Sequence, residues 1–272
     1  MIYKSTLLHV IKQVATDFNS MKKQFLLLAL CTLILGACKK DTPAKLYQIK
    51  ANQLVTDSTT ADKKTVTDFI APFKTHLNEQ LDAVLCTTPI DLTRVDSELE
   101  SSLGNLMADI CFEQGNMVYN KQTGNSVDFV LFNYGGIRAP IAKGSITARN
   151  AFEVMPFENE LVVVELSGNK VIELLQYLAN NKKAHPISQL RLKLEKNTYK
   201  DVTIKGAKFD ATKNYFVLTS DYLQEGGDKM DFFKNPIALH KTNYKIRTAL
   251  IDFFKKTDSI IPNLDNRFIY AN

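Results

Sequence analysis

Two stretches of this chain set glycine pairs beside charged residues: FNYGGIRAPIAKGSIT, residues 132–147, and SDYLQEGGDKMDFF, residues 220–233. The chain has only 11 glycines, and four sit in these two pairs. Two adjacent glycines let backbone approach a ligand closely or take positive φ. Arg138, just beyond Gly135-Gly136, would present a planar fork of donors to an anion. Asp228, directly after Gly226-Gly227, would accept hydrogen bonds from two neighbouring hydroxyls, as on a ribose. Between the pairs lies Met155-Pro156-Phe157-Glu158-Asn159, where Pro156 stiffens a loop that would expose Phe157. Tyr222 stands just ahead of the second pair. Two aromatics on separate loops can hold a flat base, and such stacking is worth roughly 1–3 kcal/mol per base. Each piece alone also fits a plain turn, a core phenylalanine or a surface arginine. Their order along one chain is what points to a shared ligand.

The other chemistry-bearing types add less. There are four histidines, His9, His76, His185 and His240, and none has metal-ligand spacing. No Ser-His-Asp or Cys-His arrangement follows from spacing. His76 falls on an amphipathic helical pattern and is expected to face solvent.

The front of the chain reads as an export segment. Met21-Lys22-Lys23 precedes an apolar run, residues 25–35, that ends at Leu35-Gly36-Ala37-Cys38. A basic start, a short apolar stretch and small residues describe a signal peptide. The run is shorter than the about 20 residues a membrane-spanning helix needs. A cysteine after Leu-Gly-Ala resembles the lipobox of bacterial lipoproteins, in which the cysteine is lipidated. The expected organisation is residues 1–20 as a start-site artefact, 21–37 as a lipoprotein signal, 38–60 as a polar tether and 61–272 as one domain. Loss of residues 1–37 removes four lysines and one aspartate, taking the formal charge from +5 to +2. That balance gives no nucleic-acid footprint. Cys86 and Cys111 then remain, either as one disulfide or as two buried thiols.

The elements that must position the loops can be sketched from periodicity. Val66, Phe69, Ile70, Phe73, Leu77, Leu81 and Val84 recur at helical spacing over residues 61–85, with Pro72 expected to kink or restart the helix. Ser97-x-x-Glu100 has capping-box form ahead of a helix carrying Leu99, Leu103, Leu106, Met107 and Ile110. Residues 127–133, 161–166, 190–194, 202–204 and 215–219 read as strands. Ser167 is expected to cap a helix, and residues 244–254 to form a closing helix. Strands and helices without strict alternation indicate an α+β fold with a mixed sheet.

With these residues in place, a family resemblance emerges. Residues 100–109, ESSLGNLMAD, resemble the Glu-Ser/Thr-x-Leu-Gly-Asn-Leu-x-x-Asp opening of the 5′-nucleotidase C-terminal domain. Asn133-Tyr134-Gly135-Gly136-Ile137-Arg138 is similar to that family's Asn-Gly-Gly-Gly-Ile-Arg. Gly144-Ser145-Ile146-Thr147, residues 155–159 and residues 221–228 resemble its later motifs, in family order, over about residues 60–260. The resemblance implies a single-domain α+β, 5′-nucleotidase C-terminal-domain-like mixed sheet with packed helices. It implies a base between Phe157 and Tyr222, Asn133 and Asn159 near base or ribose, Asp228 on ribose hydroxyls and Arg138 toward phosphate. Two departures stand out. Tyr134 replaces a glycine and is expected to narrow the pocket or shift its loop. The family often has a further arginine just before its Glu-Ser opening; Glu98 and Leu99 stand there in this chain, which implies the loss of one phosphate contact.

In that family hydrolysis belongs to a metallophosphatase domain with two metal ions, and its motifs are not found in this chain. The expectation is therefore the nucleotide-binding half of a 5′-nucleotidase-type phosphate monoester hydrolase in nucleotide catabolism. No cofactor is expected in this chain, and divalent metal ions are expected in a separate metallophosphatase subunit. The expected ligand is a nucleotide or nucleoside, the expected location the cell envelope through a lipid on Cys38, and nucleic acid is not an expected partner. Two alternatives stay open: a non-catalytic nucleoside- or nucleotide-binding lipoprotein, and a structural lipoprotein that has lost the ligand.

Overall fold

The computed structural model describes residues 13, 22–26, 46–57, 59–262 and 264–271. The expectations for residues 1–20 (residue 13 apart), for most of the signal segment and for Cys38 therefore lie outside the described residues. Residues 22–26 are helical, and residues 46–57 are exposed without regular structure. Among the described residues no helix is long and apolar enough to cross a membrane.

Asp62–Asn272 form one compact unit. It opens with helix α1 (Lys64–Asp82) and strand β1 (Val84–Thr88). Pro72 lies inside α1 without dividing it. The carbonyl that Pro72 leaves unbonded, on Asp68, sits on an exposed stretch of helix, where its loss of a partner costs little. No residue of α1 is buried, and its apolar stripe stays open, with Phe69 70% and Phe73 66% exposed.

The long helix α2 (Ser102–Thr123) begins later than the Ser97–Glu100 pattern implies. Its N-cap is Ser101, whose Oγ accepts from Gly104 N at 3.1 Å. Asp96 Oδ2 takes the Ser102 N–H at 2.6 Å. The Glu100 carboxylate is diverted from a capping role. It is buried, and it accepts from Asn105 Nδ2 at 2.6 Å, Asp265 N at 2.7 Å and Asn266 N at 3.0 Å. Three donors, two of them from the far end of the chain, compensate its desolvation.

The central sheet has five strands in the order Ala238–Lys245, Glu160–Ser167, Asn214–Ser220, Phe129–Leu131 and Ile187–Ser188, or β10-β4-β9-β2-β5 in chain numbering. β4 and β9 pair antiparallel over seven residues, and β2 lies parallel to β9. Leu161, Val162, Val163 and Val164 of β4 are all buried, so this interior strand reads as a continuous apolar run. Helix α2 packs on this sheet. A second sheet, β11-β6-β7-β8, joins Phe268–Tyr270, Leu190–Glu195, Thr198–Ile204 and Ala207–Lys208. There Leu190, Leu192 and Leu194 alternate inward with exposed or half-buried residues. β1 pairs with β3 (Gly144–Thr147) in a two-stranded ribbon. The remaining helices are α3 (Ala148–Val154), α4 (Gly168–Asn181, capped by Ser167 as expected), α5 (Asp221–Gln224) and α6 (Ile246–Phe254). The fold is α+β, with mixed sheets and packed helices.

Cys86 and Cys111 are buried free thiols. Burial raises both, Cys86 to about 11, so neither is a ready nucleophile.

Candidate binding site

The second glycine loop is built by β9 and α5. Ser220 caps α5 by accepting from Leu223 N at 3.2 Å, and the chain then turns at Gly226, with φ of 91°. That left-handed conformation carries almost no penalty for glycine. Gly227 lies under the Tyr222 ring, where an added Cβ would come within 2.4 Å of Tyr222 Cε1. The loop thus props Tyr222 outward and returns Asp228 beneath it. The first glycine loop leaves β2 at Asn133 and makes a 3-10 turn at Tyr134–Gly136. Its glycines do not take positive φ. Close approach is what requires Gly136, because an added Cβ would lie 2.9 Å from Asn133 Oδ1.

These loops meet in a cleft of about 270 Å³. The structure brings together in its lining the side chains of Asn133, Arg138, Phe157, Asn159, Tyr222 and Asp228. Gly135 and Gly136 line it too, whereas Gly226 and Gly227 shape the loop from behind. Asp228 is the hub. Asn133 Nδ2 donates to its Oδ2 at 2.6 Å, Tyr222 Oη donates to its Oδ1 at 3.0 Å, and Tyr177 Oη donates to its carbonyl at 2.9 Å. Each carboxylate oxygen keeps a lone pair for another donor. Phe157 and Tyr222 are 43% and 45% exposed, leaving ring area to cover. The Arg138 guanidinium stands 5.9 Å from the Phe157 ring centroid and donates to the Gly135 carbonyl at 3.3 Å.

Two arginines that sequence reasoning passed over hold these loops. Buried Arg247, on α6, donates from Nη1 to the Met155 carbonyl at 3.2 Å and the Phe157 carbonyl at 3.3 Å, and from Nη2 to Glu158. Lys245 also donates to Glu158, and the two cations, Lys245 first, hold that carboxyl down at about 2. Arg94 donates to the Ile137 carbonyl at 2.6 Å and lies 4.7 Å over the Tyr134 ring. A cation on an aromatic face is favourable. Tyr134 does not narrow the cleft, as its replacement of a glycine suggested. It turns away toward Arg94 and lines a neighbouring cleft instead. No signal in one sequence links Arg94 to Ile137 or Arg247 to Phe157, since both contacts are tertiary.

Among the described residues no group of three or more His, Cys, Asp or Glu side chains is placed to hold a metal ion. His76 is exposed on α1, and His240 Nε2 is within 2.7 Å of Gln122 Oε1. His185 is different: it is buried, and its Nδ1 accepts from Tyr134 N at 3.1 Å.

Comparison with known proteins adds a second line of argument. The family model described as 5′-nucleotidase, C-terminal domain matches residues 83–235. Protein UshA of Escherichia coli K12 is 28% identical over 137 residues, covering 49% of this chain and 25% of that protein. Cell wall protein Lmo0130 of Listeria monocytogenes is 31% identical over 169 residues, covering 56% of this chain and 21% of that protein. In three dimensions the chain is similar to the 5′-nucleotidase precursor of Thermus thermophilus, with a TM-score of 0.61 at 23% identity over 77% of this chain and 43% of that one. The Haemophilus influenzae NAD nucleotidase gives a TM-score of 0.57 at 19% identity over 77% of this chain and 42% of that chain. At these identities the structural likenesses establish the fold. The chain spans about a quarter or less of the length of these curated relatives.

Proposed function

Because the chain belongs to the 5′-nucleotidase C-terminal domain family, we propose that it is the nucleotide-binding half of a 5′-nucleotidase-type phosphate monoester hydrolase. One observation carries the reading: Phe157 and Tyr222 line one cleft with the doubly hydrogen-bonded Asp228 carboxylate. The base lies between the two rings, which gain by covering exposed aromatic surface. Asp228 accepts from the ribose hydroxyls through its remaining lone pairs. Asn133 and Asn159 contact base or ribose, and Arg138 faces the phosphate. The cleft, at about 270 Å³, lies just below the roughly 300–1,000 Å³ of small-molecule sites, as befits a nucleoside with its phosphate in the open.

These groups bind and orient; none is placed as a nucleophile or a metal ligand. The hydrolytic step is assigned to a separate metallophosphatase, whose divalent ions would supply the activated water, while Arg138 of this chain holds the phosphate presented to it. The chain itself is proposed to be an exported lipoprotein of the cell envelope, attached to the membrane through Cys38.

Calorimetric titration of the full chain with AMP and with adenosine, beside Phe157→Ala, tests the binding claim. Binding by the parent and its loss in the variant are expected; equal behaviour of the two would overturn the aromatic clamp. Phosphate release that requires the added phosphatase and metal is the expected activity. Binding that no such protein converts into turnover would favour a lipoprotein that only captures nucleosides or nucleotides.

A further inference from the structure

Behind the Asn133–Asp228 contact lies a second cleft, of about 360 Å³. It shares Gly135 and Asp228 with the first but is otherwise lined by different residues, among them Tyr134, Tyr177, Lys183, His185 and Lys229. Asp228 is therefore a wall between two clefts. Its carboxylate oxygens are engaged by Asn133 and Tyr222, both of which line the first cleft. The two lysines are left as the cations of the second cleft's lining.

His185 supplies the observation that points to a ligand. Its ring is 5% exposed and lies 5.6 Å from the Tyr177 ring. Its Nδ1 accepts from Tyr134 N, so the proton of the neutral imidazole sits on Nε2. Nε2 is the one buried side-chain polar atom among the described residues that has no hydrogen-bond partner. A buried donor left unsatisfied costs about 1–3 kcal/mol, and folded chains rarely keep one without a use. Burial drives the imidazole pKa down to about 4, with Lys183 pushing the same way; the nearby Phe132 carbonyl and Asp228 oppose them, but neither is in hydrogen-bonding geometry with Nε2. The ring is thus a fixed neutral donor near neutral pH.

We propose that this second cleft is an anion subsite, taking a phosphate or carboxylate between Lys183 and Lys229 with His185 Nε2–H as the buried donor. Tyr134 and Tyr177 form its aromatic sides, and the Lys183 ammonium already lies 5.9 Å from the Tyr134 centroid. The subsite does not depend on what occupies the first cleft. It would serve either a free anion or a second anionic group of a ligand that reaches past Asp228.

The test is a titration of the full-length chain, labelled with ¹⁵N-histidine, with inorganic phosphate at constant ionic strength. The His185 Nε2 resonance should shift saturably while His76 and His240 stay still. In the double variant Lys183→Ala/Lys229→Ala the phosphate affinity should fall at least tenfold, and Phe157→Ala should leave it unchanged. ADP, which carries a second phosphate beyond the one facing Arg138, separates the two sources. Competition by ADP in the parent but not in Phe157→Ala identifies the anion as the second phosphate of the first-cleft ligand, and phosphate binding indifferent to ADP identifies a separate free-anion site. A still His185 signal, a shift unaltered by loss of both lysines, or parallel shifts of all histidines would each overturn the subsite. Failure of the aromatic clamp alone would leave the phosphate titration intact.

Discussion

Asn133 donates from Nδ2 to Asp228 Oδ2 at 2.6 Å, and this bond ties together two glycine loops separated by 95 residues. Tyr222 donates to the other carboxylate oxygen, so the Tyr222 ring, the Asn133 amide and the Asp228 acid are joined in one hydrogen-bonded group. In Asp228→Asn, one acceptor becomes an amide donor that faces either Asn133 or Tyr222. Adenosine affinity should fall at least tenfold, or about 1.4 kcal/mol. Calorimetry would check this, and affinity within twofold of the parent would show that Asp228 does not contact the ligand.

Phe157→Ala and Tyr222→Ala should each weaken adenosine by about 5- to 150-fold, the range given by about 1–3 kcal/mol of stacking. Both rings are about half exposed, so Tm should move little. A large fall in Tm with unchanged affinity would recast the rings as packing residues.

Gly227→Ala places a methyl 2.4 Å from the Tyr222 ring. The ring can swing outward, so the substitution should damage the site more than the fold. Adenosine affinity should drop as far as in Tyr222→Ala, while the urea midpoint shifts only slightly. Parent-like affinity would mean that Tyr222 needs no support from the loop.

His185 should make stability depend on pH. Its folded pKa of about 4 lies below the ordinary value of 6.5, so the unfolded chain binds the extra proton first. The stabilisation is complete above pH 6.5 and is lost as pH falls through 4. The loss attributable to this group is on the order of 3 kcal/mol. Urea unfolding between pH 4 and 7 of the parent and of His185→Gln would measure it, the variant showing the flatter profile. Parallel profiles would place the proton uptake elsewhere.

Legibility in the sequence followed the strength of local pattern. β4, β6 and β9 announce themselves as apolar runs or strict alternations, and Ser167 caps its helix where a serine ahead of an apolar stripe should. β10 was hidden because it is an edge strand, mostly exposed and carrying His240, Lys241 and Lys245, so no apolar period marks it. Ser97-x-x-Glu100 misled because a capping motif is local, whereas Glu100 is claimed by backbone N–H groups of residues 265 and 266. The helical stripe of α1 was visible, but its lack of any buried residue within the compact unit was not.

The sequence by itself determined the α+β class, the order of the loop motifs and the residue types those loops bring to a cleft. These rest on local periodicity, glycine chemistry and motif order, all of which survive in one dimension. Only the tertiary structure decided that Asn133 and Tyr222 grip the two oxygens of one carboxylate, that Arg94 and Arg247 brace the loops from behind, and that Tyr134 opens a second cleft. It also decided that the His185 imidazole, one loop residue among many in the sequence, is buried with an unspent donor. Those outcomes depend on which distant side chains exclude water from one another, and burial of that kind is a property of the packed chain.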